Sequence, residues 1–263
     1  MPEKDVVTAC VLVIGNEILS GRTQDKNINY LAKGLNDIGV RLQEVRVIPD
    51  VPETIIATLN ECRAVFDYVI TTGGIGPTHD DITSECVAAA FGVGMFRDQS
   101  VVDLLQSYMK NTPLNEARLR MATFPEGAEL VHNPVSAAPG YRLDNVFVFA
   151  GVPQIMQAMF DGAKNQMIGG AIMLSRSVSV ELGEGTIAPG LSELQDRYPE
   201  IDIGSYPAMR QQRFGVSVVM RGTDSDMLDA ALVELKDMLT ALGGEPKDES
   251  IADPAAAPSG ADN

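Results

Sequence analysis

The feature that most narrows the fold is an almost unbroken apolar run over residues 6–14, ending at Gly15. A run so short and so uniformly apolar suits a strand buried on both faces, as at the centre of a parallel sheet. Helical and strand patterns then alternate. Ile28, Leu31, Leu35 and Ile38 form a helical stripe, with Gly39 where a left-handed cap is expected. A strand is predicted over 41–48, then a helix opened by Pro52 with Ile55, Ile56, Leu59 and Cys62 on its inner face. A third strand, 68–72, feeds a Gly-rich segment, and a helix follows over 82–91. A strand over 145–150 and a helix over 153–167 complete the unit. Between them lies an amphipathic stretch with Val101, Leu104, Leu105, Tyr108 and Met109. Such alternation implies parallel pairing through right-handed crossovers, with ligands at the carboxyl ends of the strands.

Near residue 170 the pattern changes. Leu174, Val178, Val180 and Leu182 alternate with Ser177, Ser179 and Glu181, the mark of a half-buried strand. A short helix is predicted near Leu191 and Leu194, strands over 201–205 and 214–220, and a last helix carrying Leu228, Ala231, Leu232, Leu235 and Leu239. The order β-α-β-β-α predicts a small two-layer α+β domain resembling a ferredoxin-like unit. The expected organisation of the 263 residues is an α/β domain over 1–169, the small domain over 170–242, and a disordered tail over 243–263, rich in Pro, Ala, Gly and Asp.

The chain carries 36 acidic and 20 basic side chains, a net charge of -16. That surface repels phosphodiester backbones and anionic membranes, so no nucleic-acid or membrane partner is expected. A phosphorylated small molecule would have to be held by local amides, a helix end or a bound cation. Cys10, Cys62 and Cys86 lie far apart and the chain has two histidines, which argues against a disulfide framework or a structural zinc site. No apolar run reaches transmembrane length and no secretory signal precedes the first strand, so a cytoplasmic protein is expected.

The strongest candidate for chemistry is residues 71–83, TTGGIGPTHDDIT. Gly73, Gly74 and Gly76, directly after a buried strand, let backbone N–H groups of this segment converge, and Thr72, Ile75, Pro77 and Thr78 complete the loop. The following helix N-terminus adds free amides. The same glycines also read as a tight strand-to-helix turn. The spacing is neither that of a P-loop nor that of a dinucleotide fingerprint. Asp80 and Asp81 beside such a cradle would repel a phosphate unless a hard cation such as Mg²⁺ lay between, with Asp50 a third ligand from the loop after the second strand. Each of these aspartates reads equally as a helix cap. The loop after the first strand puts Asn16 and Glu17 on the same rim, and Asn27 reads as a ligand contact or a cap. Arg118 offers a cation for phosphate, or is a solvated surface residue. His79 and His132 have no companion at metal-ligand spacing.

Residues 15–21 (GNEILSG), 71–83, 115–118 (NEAR), 133–140 and 149–153 (FAGVP, with Gly151 at its centre) resemble the molybdopterin-binding fold of molybdenum-cofactor biosynthesis proteins. More closely, they resemble the N-terminal domain of the competence/damage-inducible protein A family and the related domain of eukaryotic FAD synthases. The small domain is similar to one that follows in FAD-synthase-like members. The resemblance implies a three-layer, mostly parallel α/β/α domain. It also implies divalent-metal-dependent (Mg, Mn or Co) pyrophosphate hydrolysis of ADP-ribose or FAD-like dinucleotides. In the cofactor-synthesis branch it implies molybdopterin as the ligand, with adenylyl transfer or metal insertion and with Asp50 and Asp81 in the active site. A non-catalytic nucleotide-binding module is a third reading. Ile75 stands where that branch usually has Thr, which shifts weight toward the hydrolases. Proteins of this fold are commonly homo-oligomers. Neither the deamidase domain of longer relatives nor its activity is expected.

Overall fold

The computed structural model describes residues 4–109, 113–210 and 213–249. Two compact units divide at residues 172 and 173. In the first, β1 (Val7–Ile14) leads to a short α1 (Asn16–Leu19) and α2 (Asn27–Asp37), then β2 (Val40–Ile48), α3 (Pro52–Val65), β3 (Tyr68–Thr72) and α4 (Thr83–Phe91). Next come β4 (Met95–Arg97), α5 (Gln99–Met109), α6 (Glu116–Leu119), β5 (Thr123–Pro125), β6 (Glu129–Val131), β7 (Gly140–Leu143), β8 (Val146–Phe149) and α7 (Pro153–Ala163).

The main sheet has the order β2-β1-β3-β8-β7-β6. Its first four strands are parallel, and β7 and β6 are antiparallel additions at one edge. Alternation along β1 explains the three layers. Val11 and Val13 face α2 and α7, packing with Leu31, Leu35, Met156 and Phe160. Cys10 and Leu12 face the other way, against Leu59 of α3, Val87 of α4 and Leu105 of α5. Both faces of the strand are therefore covered, which is why its sequence is apolar throughout.

Sequence pattern does not show the short strands β4 to β7, three or four residues each, which lie in the stretch with no clear period. The helix predicted to 167 ends at Ala163, followed by a 3₁₀ turn over Lys164–Gln166.

The second unit contains β9 (Leu174–Val180), α8 (Glu184–Arg197), β10 (Asp202–Arg210), β11 (Arg213–Gly222), α9 (Ser225–Ala241) and β12 (Lys247–Glu249). Its sheet, β10-β11-β9-β12, is antiparallel throughout. Val178, Val180, Val216, Val218 and Met220 meet Ile187, Leu194, Leu228 and Leu235 in its core. The expected five-element unit thus has a sixth. Residues 247–249, assigned by composition to the tail, pair with Ser177, Val178 and Ser179, and Glu249 accepts the Ser217 hydroxyl at 2.6 Å. Open backbone groups on β9 outweigh the low β-propensity of Lys, Asp and Glu. Residues 250–263 of the expected tail lie outside the described residues.

Candidate ligand-binding site

Parallel register sets the site. Val13 is level with Thr72, and Thr72 with Phe149, so β1, β3 and β8 end on one rim. The loops leaving them meet there. Gly73 has φ +102, and a Cβ on it would come within 2.2 Å of the Ile14 carbonyl oxygen. Gly74, at φ +68, would collide with the Thr83 hydroxyl in the same way. Only glycine serves at both positions. Thr83 is fully buried and fastens the loop: its hydroxyl donates to the Gly73 carbonyl at 3.0 Å and its amide to the Gly74 carbonyl at 2.9 Å. With those carbonyls turned inward, the N–H groups of Gly74, Ile75 and Gly76 have no protein partner among the described residues. The amide of Gly73 is different. It donates to the Phe149 carbonyl at 3.1 Å, extending the β3–β8 pairing, so the cradle begins at Gly74.

Asp81 belongs to this loop. One carboxylate oxygen accepts both the Thr78 amide, at 2.7 Å, and the Thr78 hydroxyl, at 2.5 Å. The carboxylate lies against Gly76, where a Cβ would come within 2.6 Å of Oδ2. No side chain caps α4, so the capping reading of Asp80 and Asp81 falls. A cleft of about 500 Å³ opens in front of the loop. Glu17, Thr23 and Asp81 supply polar groups to its wall, and Met121, Ala138, Ile155 and Met159 supply an apolar side. Gly73, Gly74, Ile75, Gly76, Pro77 and Gly151 line it as well. At Gly151 a Cβ would be 3.3 Å from the Gly73 Cα, which is how closely the two loops approach.

Several expected ligand contacts stand elsewhere. Asp80 is exposed outside the cleft wall, 3.9 Å from His79. Asp50 accepts the Asn16 amide at 2.9 Å, tying the ends of β1 and β2 together, and neither residue lines the cleft. Nor does Asp50 cap α3, which has Val51 at its N-cap. Among the described residues no three His, Cys, Asp or Glu side chains come together as a metal site, so the Asp50–Asp80–Asp81 set is not assembled. The carboxylates that share the cleft are Glu17 and Asp81.

Thr72 is buried, its hydroxyl without a partner among the described residues. Asn27 is buried too, and its amide group donates to the Gly151 carbonyl at 2.9 Å, so it positions that loop. Capping of α2 falls to Asp25, whose Oδ1 accepts the Asn27 and Ile28 amides at 3.1 and 2.8 Å. Arg118 turns back to the Pro113 carbonyl at 2.8 Å and is absent from the cleft wall. The basic residue that reaches the loop is Arg120, two positions on. Its guanidinium donates to the carbonyls of Thr78 (2.8 Å) and Asp81 (2.7 Å) and pairs with Glu85 at 3.0 Å. Sequence offered no sign of it beyond its charge.

A parallel sheet covered on both faces, with a ligand-sized cleft at its carboxyl rim, defines an α/β protein of the molybdopterin-binding fold. The chain belongs to the probable molybdopterin binding domain family, whose signature matches residues 10–169, and residues 172–244 match the FAD synthase middle domain. A protein of Archaeoglobus fulgidus is 32% identical over 87% of this chain and 96% of its own length. A probable FAD synthase of Caenorhabditis briggsae is 30% identical over 91% of this chain, and a CinA-like protein of Myxococcus xanthus 34% over 74%. The matches take in 51% and 50% of those two relatives, so the chain spans about half the length of each. Among solved structures, a CinA protein of Thermoplasma acidophilum aligns with TM-score 0.58 at 29% identity, covering 62% of this chain and 99% of that one. No helix among the described residues is long and apolar enough to cross a membrane.

Proposed function

We propose that the chain binds a nucleotide diphosphate such as ADP-ribose or FAD in this cleft and hydrolyses its pyrophosphate with the help of a divalent cation. The observation that carries the reading is that Gly74, Ile75 and Gly76, whose amides have no partner among the described residues, line one cleft together with two carboxylates. Hydrogen bonds from neutral amides to a charged phosphate contribute about 1.5–3 kcal/mol each, and the protein already holds these amides in place. The apolar side of the cleft, with Met121, Ile155 and Met159, offers a surface for a flat heteroaromatic ring.

Glu17 and Asp81 suit a hard cation shared with ligand phosphates, which takes one or two protein carboxylates and oxygens from the substrate. They do not make a cage that would hold the ion alone. A bound Mg²⁺, Mn²⁺ or Co²⁺ would neutralise phosphate charge and lower the pKa of a coordinated water. The loop amides would stabilise charge on the phosphoryl oxygens, and Asn27 would keep Gly151 against the cradle. Purified protein with ADP-ribose or FAD and each metal in turn is expected to release AMP. No AMP with any metal would refute hydrolysis. Ligand-induced thermal stabilisation without turnover would leave a binding module.

A second reading has one specific support, the family to which residues 10–169 belong. In it the same cradle takes the phosphate of molybdopterin. That reading expects pterin to copurify and AMP to be transferred rather than released.

A further inference from the structure

We infer that the cleft continues into a second, arginine-lined cavity that receives the far half of the ligand, so that the site selects a diphosphate diester over a nucleoside monophosphate. This rests on the function proposed above and adds to it how the ligand is divided. A cavity of about 160 Å³ adjoins the cleft and shares Ile75, Gly76 and Asp81 with it. Ser84, Arg97, Arg120 and Thr123 contribute to its remaining wall.

The division of charge gives the inference its direction. Among the described residues lining the larger cleft there is no lysine or arginine, while Glu17 and Asp81 are both present. The smaller cavity has Arg97 and Arg120 in its wall, with Asp81 and Glu85. A ligand with one phosphate meets amides and carboxylates only. A ligand with two can place the second where the protein itself supplies positive charge.

The two arginines differ in what they are free to do. Arg120 is committed to the loop carbonyls of Thr78 and Asp81 and to Glu85, and forms a fixed wall. Arg97 has one ion pair, to Glu116 at 3.0 Å, with side chains 44% and 82% exposed. Exposed pairs of this kind contribute little, so exchanging Glu116 for a phosphate is cheap. The hydroxyls of Ser84 and Thr123 are of the right chemistry for a phosphate or a sugar. The larger cleft takes the nucleoside, and the smaller cavity takes the second phosphate and the start of the group beyond it. Gly76 stands at the junction, where a Cβ would press on the Asp81 carboxylate.

Titration calorimetry with AMP and with ADP-ribose in its non-hydrolysable α,β-methylene form, Mg²⁺ present, tests this. The wild-type chain is expected to bind ADP-ribose at least about tenfold more tightly than AMP, the contribution of one charge-assisted contact. Arg97→Gln is expected to lose most of that preference and to keep its AMP affinity within about twofold. Equal wild-type affinities, or an Arg97→Gln variant that weakens both ligands alike or neither, would overturn the divided site and leave the proposed function standing. A wild-type chain that binds neither nucleotide overturns both.

Discussion

One oxygen of Asp81 accepts both the amide and the hydroxyl of Thr78, so the loop itself holds this carboxylate before any ligand arrives. The second oxygen accepts no hydrogen bond among the described residues, and Asp81 lines the cleft. Thr78→Val keeps the amide contact and removes the hydroxyl. A hydrogen bond to a charged group is worth about 1.5–3 kcal/mol, so kcat/KM for AMP release is expected to fall about tenfold or more. The melting temperature should move little, because Thr78 is exposed. Asp81→Asn, which removes the charge itself, is expected to lower kcat/KM further than Thr78→Val does. Wild-type kinetics in Thr78→Val would show that the hydroxyl has no part in positioning.

Gly74 and Thr83 are coupled through space. Gly74→Ala would put a Cβ 2.2 Å from the Thr83 hydroxyl at φ +68, a combination of strain and overlap expected to cost about 2–3 kcal/mol. Thr83→Ala loses its buried hydrogen bond to the Gly73 carbonyl, about 1–2 kcal/mol. The double variant removes the oxygen that the added methyl group would strike. Its loss, measured by urea denaturation, is expected to be smaller than the sum of the two single losses. Strict additivity would mean that the loop relaxes away from Thr83.

The central fold was legible because β1, β3 and their helices carry strong, uniform patterns. Residues 10–13 are buried and apolar, and α2 presents Leu31 and Leu35 on one stripe. The site was legible only in part. Glycine spacing marked the cradle, since Gly73 and Gly74 occupy positions that tolerate nothing else. Which amides stay free depends on a partner far along the chain: the Phe149 carbonyl takes the Gly73 N–H. Adjacency in sequence also misled. Asp80 and Asp81 are neighbours, yet only Asp81 turns toward Gly76, and Glu17 reaches the cleft from another loop. Arg118 and Arg120 differ only in which way a single helical turn points them.

Asp67 links the starts of β1 and β3, and its charge should show in stability. Burial pushes its carboxyl up, but the Lys4 ammonium and the amide and hydroxyl of Thr8 outweigh this, leaving it below the usual range. A depressed folded value stabilises the protein fully above the unfolded value, about 3.9, and loses that contribution as pH falls through the folded value. Asp67→Asn is expected to cost about 1 kcal/mol at pH 7, a figure kept small because Lys4 is exposed. The gap to wild type should close in acid, as the pH falls below the depressed folded value. A gap independent of pH would assign the effect to packing.

The presence of Glu17 and Asp81 in the wall of one cleft makes its own prediction for metal dependence. Chelation is expected to stop AMP release and added divalent cation to restore it. Glu17→Gln and Asp81→Asn remove the two acids of the cleft, and each should raise the metal concentration needed by about tenfold or more, on the order of a lost ligand. Asp50→Asn and Asp80→Asn should stay within about threefold of wild type, because an Asn in place of Asp50 still accepts the Asn16 amide and Asp80 is outside the cleft wall. Metal titrations of the four variants decide between this pair and the three-aspartate arrangement.

The three cysteines give a readout of how rigid the sheet is around the site. Cys10 and Cys62 lie with sulfurs 3.5 Å apart inside one core, and Cys86 packs beside Ile14, Ile48 and Ile55 under the rim. Burial pushes all three thiols up, Cys86 to about 11. Thiolate is the reactive form, so none should react with an aromatic disulfide reagent at about pH 8 while the protein is folded. Guanidinium should release three equivalents at once. If Cys86 alone reacted in the folded protein, and ligand slowed it, the rim would be opening locally around α4 on the labelling timescale. Reaction of Cys10 and Cys62 without denaturant would require β1 to part from α3, contrary to the close packing of that core.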